Sequence, residues 1–173
     1  AYDATQPYHF GTTPTSNPKL VYTIPNLQDR PYAFASGDNR LFIGTIPGYG
    51  NLGGSLTIYN DTTGLWQSTR NVVTDQSIIS LAYKDGILFG GTAIEGGLGS
   101  TPAKVPATET EPEQKVHAKL FKWDANTNTK LAEFEPVLPG LSSPTLFGGL
   151  SFGPDGLLWG IAWGTGEDNS NIY

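Results

Sequence analysis

Three stretches of the chain repeat one pattern, and that repetition limits the fold more than any other feature. They are FASGDNRLFIGT at 34–45, LAYKDGILFGGT at 81–92 and LSFGPDGLLWGIA at 150–162. In each, an apolar run enters a tight turn at Asp38-Asn39, Asp85-Gly86 or Asp155-Gly156, and a second apolar run leaves it. Asp-Asn and Asp-Gly accept the positive φ that a two-residue hairpin demands. A second element also recurs, as SLTIYNDTTGLW at 55–66 and KLFKWDANTNTKLAEF at 119–134. Each is a strand ending in Tyr59-Asn60 or Trp123-Asp124, then a Thr-rich turn, then another strand. Residues 2–5 (Tyr-Asp-Ala-Thr) repeat the aromatic–Asp–turn element, and 18–25 (PKLVYTIP) read as the strand that follows it. Asn171-Ile172-Tyr173 read as the start of the next such strand.

The aromatics Tyr2, Tyr59, Trp123 and Tyr173 therefore mark three units, at about 2–58, 59–122 and 123–173. Four short strands joined by turns form the repeating blade of a β-propeller, ordinarily about 40–50 residues long. The units here are longer because loops are extended, above all the stretch 93–115. In the second unit the strands are expected at 78–83, 87–92, 117–123 and 130–135. The first two are nearly all apolar, which suits a sheet covered on both faces. The fourth carries Lys130 and Glu133, which suits an outer edge. The expected fold is all-β, a propeller segment of about three four-stranded blades. Gly 22 and Pro 13 argue against a helical bundle, and Trp 4, Tyr 8 and Phe 8 supply a core.

YNDTTGLW and the flanking Asp-Gly hairpins resemble the repeats of Kelch and quinoprotein-type propellers over most of the chain. Trp66 stands at the Kelch tryptophan, with Lys130 at that place in the next repeat, and Gly44-Thr45 and Gly90-Gly91 stand at its double glycine. The resemblance implies the architecture and no functional residue. Propellers close with about 4–8 blades, so three blades leave two apolar sheet faces to be covered. The cover is expected from further blades on another chain, or from copies of this chain assembled into a ring. With Met 0, the chain reads as a processed product or an excised piece.

Charge and composition narrow the function. The net charge of -6 disfavours a nucleic-acid or anionic-membrane surface. No apolar run approaches the ~18 residues of a membrane-spanning helix. Cys 0 removes disulfides, thiolate catalysis and cysteine-bound zinc. Charged residues at only 15% and Thr/Asn/Gly-rich turns fit a secreted or cell-surface setting.

In such a blade the loops between the second and third strands share one end with the connections between units. These are 46–53, 93–115 and 163–169, with 28–31, 74–77 and 140–144. Function gathers on loops carried by a rigid scaffold. Tyr49 and Trp163 are aromatics there; Asp29, Arg30, Asn51, Asp75, Gln76, Glu95, Glu167, Asp168 and Asn169 are planar polar groups. Flat rings stack on the CH faces of sugars, and carboxylates and amides bind adjacent hydroxyls in pairs. The expected ligand set is Tyr49, Asn51, Asp75, Gln76, Trp163, Glu167 and Asp168, with Trp163 reading equally as a packing residue. The expected role is recognition of polysaccharide.

Two enzymatic alternatives and one non-enzymatic alternative stand beside it. Tyr8, His9 and Arg30 are the residue types that abstract a proton α to a uronate carboxylate in a polysaccharide lyase. Asp75 with Glu167 or Asp168 offers the carboxylate pair of a glycoside hydrolase. The third possibility is a protein-interaction scaffold. His117 reads as an ordinary sheet residue, alternating with Ala118. No cofactor is expected; the oxygens of Glu167-Asp168-Asn169 offer at most a calcium site. Asn60-Asp61-Thr62 fits a glycosylation sequon and equally a turn. The stretch 93–115 reads as a long mobile loop, since TETEPE at 108–113 within it is acidic and without aromatics.

Overall fold

A computed structural model describes residues 1–105, 108–110, 114–165 and 170–172. Every regular element among them is a strand, and nearly all pairing is antiparallel between chain neighbours. β1 (Gln28–Gly37), β2 (Arg40–Pro47), β3 (Ser55–Asn60) and β4 (Leu65–Arg70) form a first meander. β5 (Ser77–Lys84) and β6 (Ile87–Ala93) open a second. A short hairpin of β7 (Lys104–Val105) and β8 (Gln114–Lys115) interrupts it, and β9 (Leu120–Asp124) and β10 (Thr129–Phe134) complete it. β11 (Ser143–Phe152), β12 (Leu158–Thr165) and β13 (Ser170–Ile172) form a third. One bridge, Leu146 to Ala93, joins the third meander to the second.

The turns obey the residues that make them. Asp38 and Asn39 take φ of 47° and 56°, and Asp85 and Gly86 take 49° and 83°, so β1–β2 and β5–β6 close over two residues. The third hairpin is longer than expected. Pairing stops at Phe152–Leu158, and Asp155 Oδ1 accepts the Leu157 N–H at 3.0 Å. Pro154 inside that turn has no N–H to give a ladder. The recurring Asn or Asp organises the other turns. Asn60 Oδ1 accepts from Thr63 N at 3.1 Å, and Asp124 Oδ1 from Asn126 N at 2.7 Å and Thr127 N at 3.1 Å. Asp3 Oδ1 accepts from Thr5 N at 2.9 Å in the same way. The N–H groups of Thr127 and Asn126 hold the Asp124 carboxyl below the usual carboxylate range.

Two strand expectations need correction. Residues 18–25 form no strand. Pro18 and Pro25 bound the stretch; Lys19 exchanges backbone hydrogen bonds with Ala1, no ladder continues from it among the described residues, and Tyr22 stacks on Trp66 at 4.5 Å. The third strand of the second meander starts at Leu120, so His117 lies before it. The reason is Thr92, whose Oγ1 accepts the Lys119 N–H at 2.8 Å where a ladder bond would form.

Alternation along the strands gives each meander a back face and a front face. The front of the first is Phe42, Leu56 and Ile58, and the back of the second is Leu81, Leu88, Phe121 and Trp123. These residues make one buried cluster with Val72 and Val73 of the connection between the two units. The front of the second meets the back of the third: Phe89 packs edge-on to Phe152 at 5.5 Å. Phe147, Leu141, Ala162 and Ile94 form the second cluster. Gly91 lies so close to the third meander that a Cβ there would stand 2.2 Å from Phe147 O. β10 is exposed along its whole length, as an outer edge should be.

Candidate functional site

A buried clasp repeated in two meanders sets the loop-bearing end. In the first, Thr45 Oγ1 donates to Gln28 Oε1 at 2.6 Å and accepts from Ser55 N at 2.8 Å, while Gln28 Nε2 donates to Gly53 O at 3.2 Å. In the second, Thr92 Oγ1 lies 2.5 Å from Gln76 Oε1 and accepts from Lys119 N at 2.8 Å, while Gln76 Nε2 donates to His117 O at 2.9 Å. Each clasp closes the loop between second and third strands at its base. The third meander has Ala162 where the threonine would stand.

The two loops above these clasps are pinned to each other. Gly48 N donates to Leu27 O at 2.7 Å, Gly50 N to Leu98 O at 2.8 Å, and Gly97 N to Asn51 O at 2.9 Å. Arg70 Nη2 holds Leu52 O at 2.7 Å. Ile94 and Ala103 are buried, and Ala103 N bonds Ile94 O at 2.9 Å. The opening of the 93–115 loop is thus tied down by backbone hydrogen bonds. Within TETEPE, 108–110 are exposed and 111–113 lie outside the described residues.

Tyr49 crowns this assembly. It is 77% exposed, and its ring lies over Gly99, where a Cβ would meet Tyr49 Cζ at 2.6 Å. The Asp29 carboxylate lies near the preceding residue, 3.8 Å from the Cβ position at Gly48, and Arg30 Nε bonds Asp29 Oδ1 at 3.1 Å. Asn51 spends its amide on Tyr49 O at 2.8 Å and so shapes the loop. Asp75 takes φ of 57° at the turn into β5, with its N–H on Asn71 Oδ1 at 3.3 Å. Gln76 is only 2% exposed; the clasp consumes its side chain, so its expected place as a ligand contact gives way to a structural one. Trp163 is 58% exposed on the front of the third meander. Glu167 and Asp168, with Asn169, lie outside the described residues.

Among the described residues the lyase set shows no mutual hydrogen bond or ion pair. His9 exchanges both backbone hydrogen bonds with Asn17, at 2.8 Å each, in the N-terminal turn where Tyr8 is exposed. A cavity of about 410 Å³ there is lined by Tyr2, Asp3, His9, Asn17 and Lys19, without Arg30.

The structure adds a pair that spacing along the chain conceals. His117 Nδ1 meets Glu135 Oε1 at the open end of the β9–β10 hairpin. One step inward, Glu133 binds Lys119 at 2.8 Å and Lys130 at 2.6 Å. Burial works against the Glu133 anion, but the two lysines outweigh it and hold its carboxyl below the usual range. The register sets Leu120 against Phe134, so His117–Glu135 and Lys119–Glu133 both reach diagonally across the hairpin by two residues, which alternation along the chain does not disclose. Among the described residues no three histidine, aspartate or glutamate side chains gather to hold a metal ion. No protein-family model and no curated protein matches this chain.

Proposed function

We propose that the chain is a run of β-propeller blades from a secreted or cell-surface protein, and that its loop-bearing end binds polysaccharide. The observation that carries this reading is Tyr49: an exposed ring packed against Gly99 where two loops interlock, with the Asp29–Arg30 pair near the adjoining Gly48. A rigid aromatic stacks on a sugar with little loss of side-chain entropy, and adjacent charged and amide groups bind its hydroxyls. Calorimetric titration with a panel of soluble polysaccharides tests it. The wild-type chain binds at least one, and Tyr49→Ala weakens that binding roughly tenfold, the loss of about 1.4 kcal/mol. Absence of binding across the panel, or unchanged affinity in Tyr49→Ala, overturns it.

The His117–Glu135 pair favours a second reading, a polysaccharide lyase. A carboxylate on Nδ1 orients the ring and leaves Nε2 as a base. That base takes the proton α to a uronate carboxylate; the C4–C5 double bond forms as the C4–O bond breaks, the electron pair leaves with the oxygen, and water supplies that oxygen's proton. The unsaturated product absorbs in the ultraviolet, and His117→Ala abolishes its appearance if this reading holds.

A further inference from the structure

We infer that the uncovered front of the third meander is covered by the back of the first meander of a second copy, so that two chains close a ring of six sheets. The inference rests on the propeller reading above and names the partner that completes it.

The register of the two packed interfaces carries the argument. Phe42, Phe89 and Trp159 hold one position in the three repeats, and Ser36, Tyr83 and Phe152 hold another. Phe42 of the first meander stacks on Tyr83 of the second at 5.2 Å. Phe89 of the second meets Phe152 of the third at 5.5 Å. The same position therefore meets the same position twice. The next contact in the series sets Trp159 against Ser36. Here the front residue is larger than phenylalanine and the back residue is smaller than tyrosine.

A second position pair shows the same exchange. Gly44 approaches Ile78, where a Cβ would be 2.5 Å from Ile78 Cγ2, and Gly91 approaches the main chain of Phe147, where a Cβ would be 2.2 Å from its carbonyl oxygen and 3.3 Å from its Cβ. Ile78 pairs with Thr92 and Phe147 with Ala162, which is where Pro31 pairs with Thr45. The third front position is Ile161 and the first back position is Pro31. In the two internal contacts a glycine meets a bulky residue; in the open one a bulky residue meets the compact ring of proline. In both position pairs one partner grows where the other shrinks, the exchange that a packed join needs.

The faces themselves fit the role. Trp159 and Ile161 are each 45% exposed on the front, while Phe34 is 57% exposed on the back beside half-buried Leu41; Ile43, on the same face, is already buried. The segment 20–24 lies along part of that back face, with Tyr22 stacked on Trp66 at 4.5 Å, and leaves a groove of about 550 Å³ lined by Pro31, Phe34 and Leu41. The total surface of 10110 Å² exceeds by about a quarter the roughly 8,200 Å² that a compact monomer of this mass exposes. Two copies give six blades, inside the range of about 4–8 in which propellers close; three copies give nine, outside it.

Light scattering on the eluting protein at tens of micromolar tests this. The expected mass is twice 18.5 kDa. Ile161→Asp on the front and Phe34→Asp on the back each raise the dimer dissociation constant by roughly 100-fold or more, since each buries an unpaired charge. Both side chains are exposed in one chain, so each variant keeps the wild-type circular dichroism. Mixing the two variants restores a 1:1 pair, because one front and one back remain intact. A monomeric wild type, a trimer, an open-ended polymer, or a dimer that survives Phe34→Asp overturns the inference. A monomer that still binds polysaccharide through Tyr49 removes the ring and spares the binding reading; a dimer that binds none does the reverse.

Discussion

The two glutamine clasps have like geometry and unlike burial, which makes them a controlled pair. Gln76 is 2% exposed, and its side chain bonds Thr92 and the His117 carbonyl. Gln76→Leu removes both bonds and leaves the His117 carbonyl without that partner. Two net hydrogen bonds at about 1 kcal/mol each, plus part of the 1–3 kcal/mol for the orphaned group, give a loss of about 2–3 kcal/mol. For a chain of this length that lowers the melting temperature by roughly 5–10 °C. Gln28 makes the same contacts to Thr45 and Gly53 but is half-buried, so water replaces its partners. Gln28→Leu therefore costs about 1 kcal/mol or less. Urea unfolding followed by circular dichroism measures both. Equal losses within about 0.5 kcal/mol, or a Gln76→Leu loss below that value, would refute the reasoning that burial makes the second clasp the stronger.

Three further outcomes follow from particular contacts. Gly91→Ala places a methyl group 2.2 Å from Phe147 O, a backbone atom that cannot swing aside, and should destabilise the chain by about 1–3 kcal/mol in the same unfolding assay. Burial and then the bond to Asp38 push the Tyr83 phenol up, so an ultraviolet titration shows a tyrosine ionising late, and that late step is missing in Tyr83→Phe. Glu133→Gln loses the ion pairs with Lys119 and Lys130, which are screened by solvent and worth less than about 1 kcal/mol. The Glu133 pKa is lowered on folding, so its contribution is present above the ordinary value of 4.5 and lost as the pH falls through the folded value. The urea midpoints of wild type and Glu133→Gln should differ at pH 7 and converge in acid.

Much of the fold was legible because hairpins are local. Asp38-Asn39 and Asp85-Gly86 declare their turns through residues that tolerate positive φ. Asn60 and Asp124 declare theirs through side-chain acceptors two and three residues upstream of the N–H groups they bind. Residues 18–25 misled because an apolar run reads as a strand whether or not a partner strand exists; here the run lies against Trp66 instead. The loop-bearing end was legible in outline, and Tyr49 stands where the loop pattern puts it. Gln76 was not legible, since its partners Thr92 and His117 lie 16 and 41 residues away and only packing brings them together. His117 was hidden for the same reason, its partner Glu135 arriving through the β9–β10 register.

Oxidative footprinting of the tryptophans in the Phe34→Asp variant, read by mass spectrometry, tests the front-to-back stacking of the meanders most directly. Trp123, on the back of the second meander, is covered by the front of the first, whereas Trp159 faces outward. Slow modification of Trp123 beside fast modification of Trp159 is the predicted result. Trp123 reacting as fast as Trp159 would contradict the account.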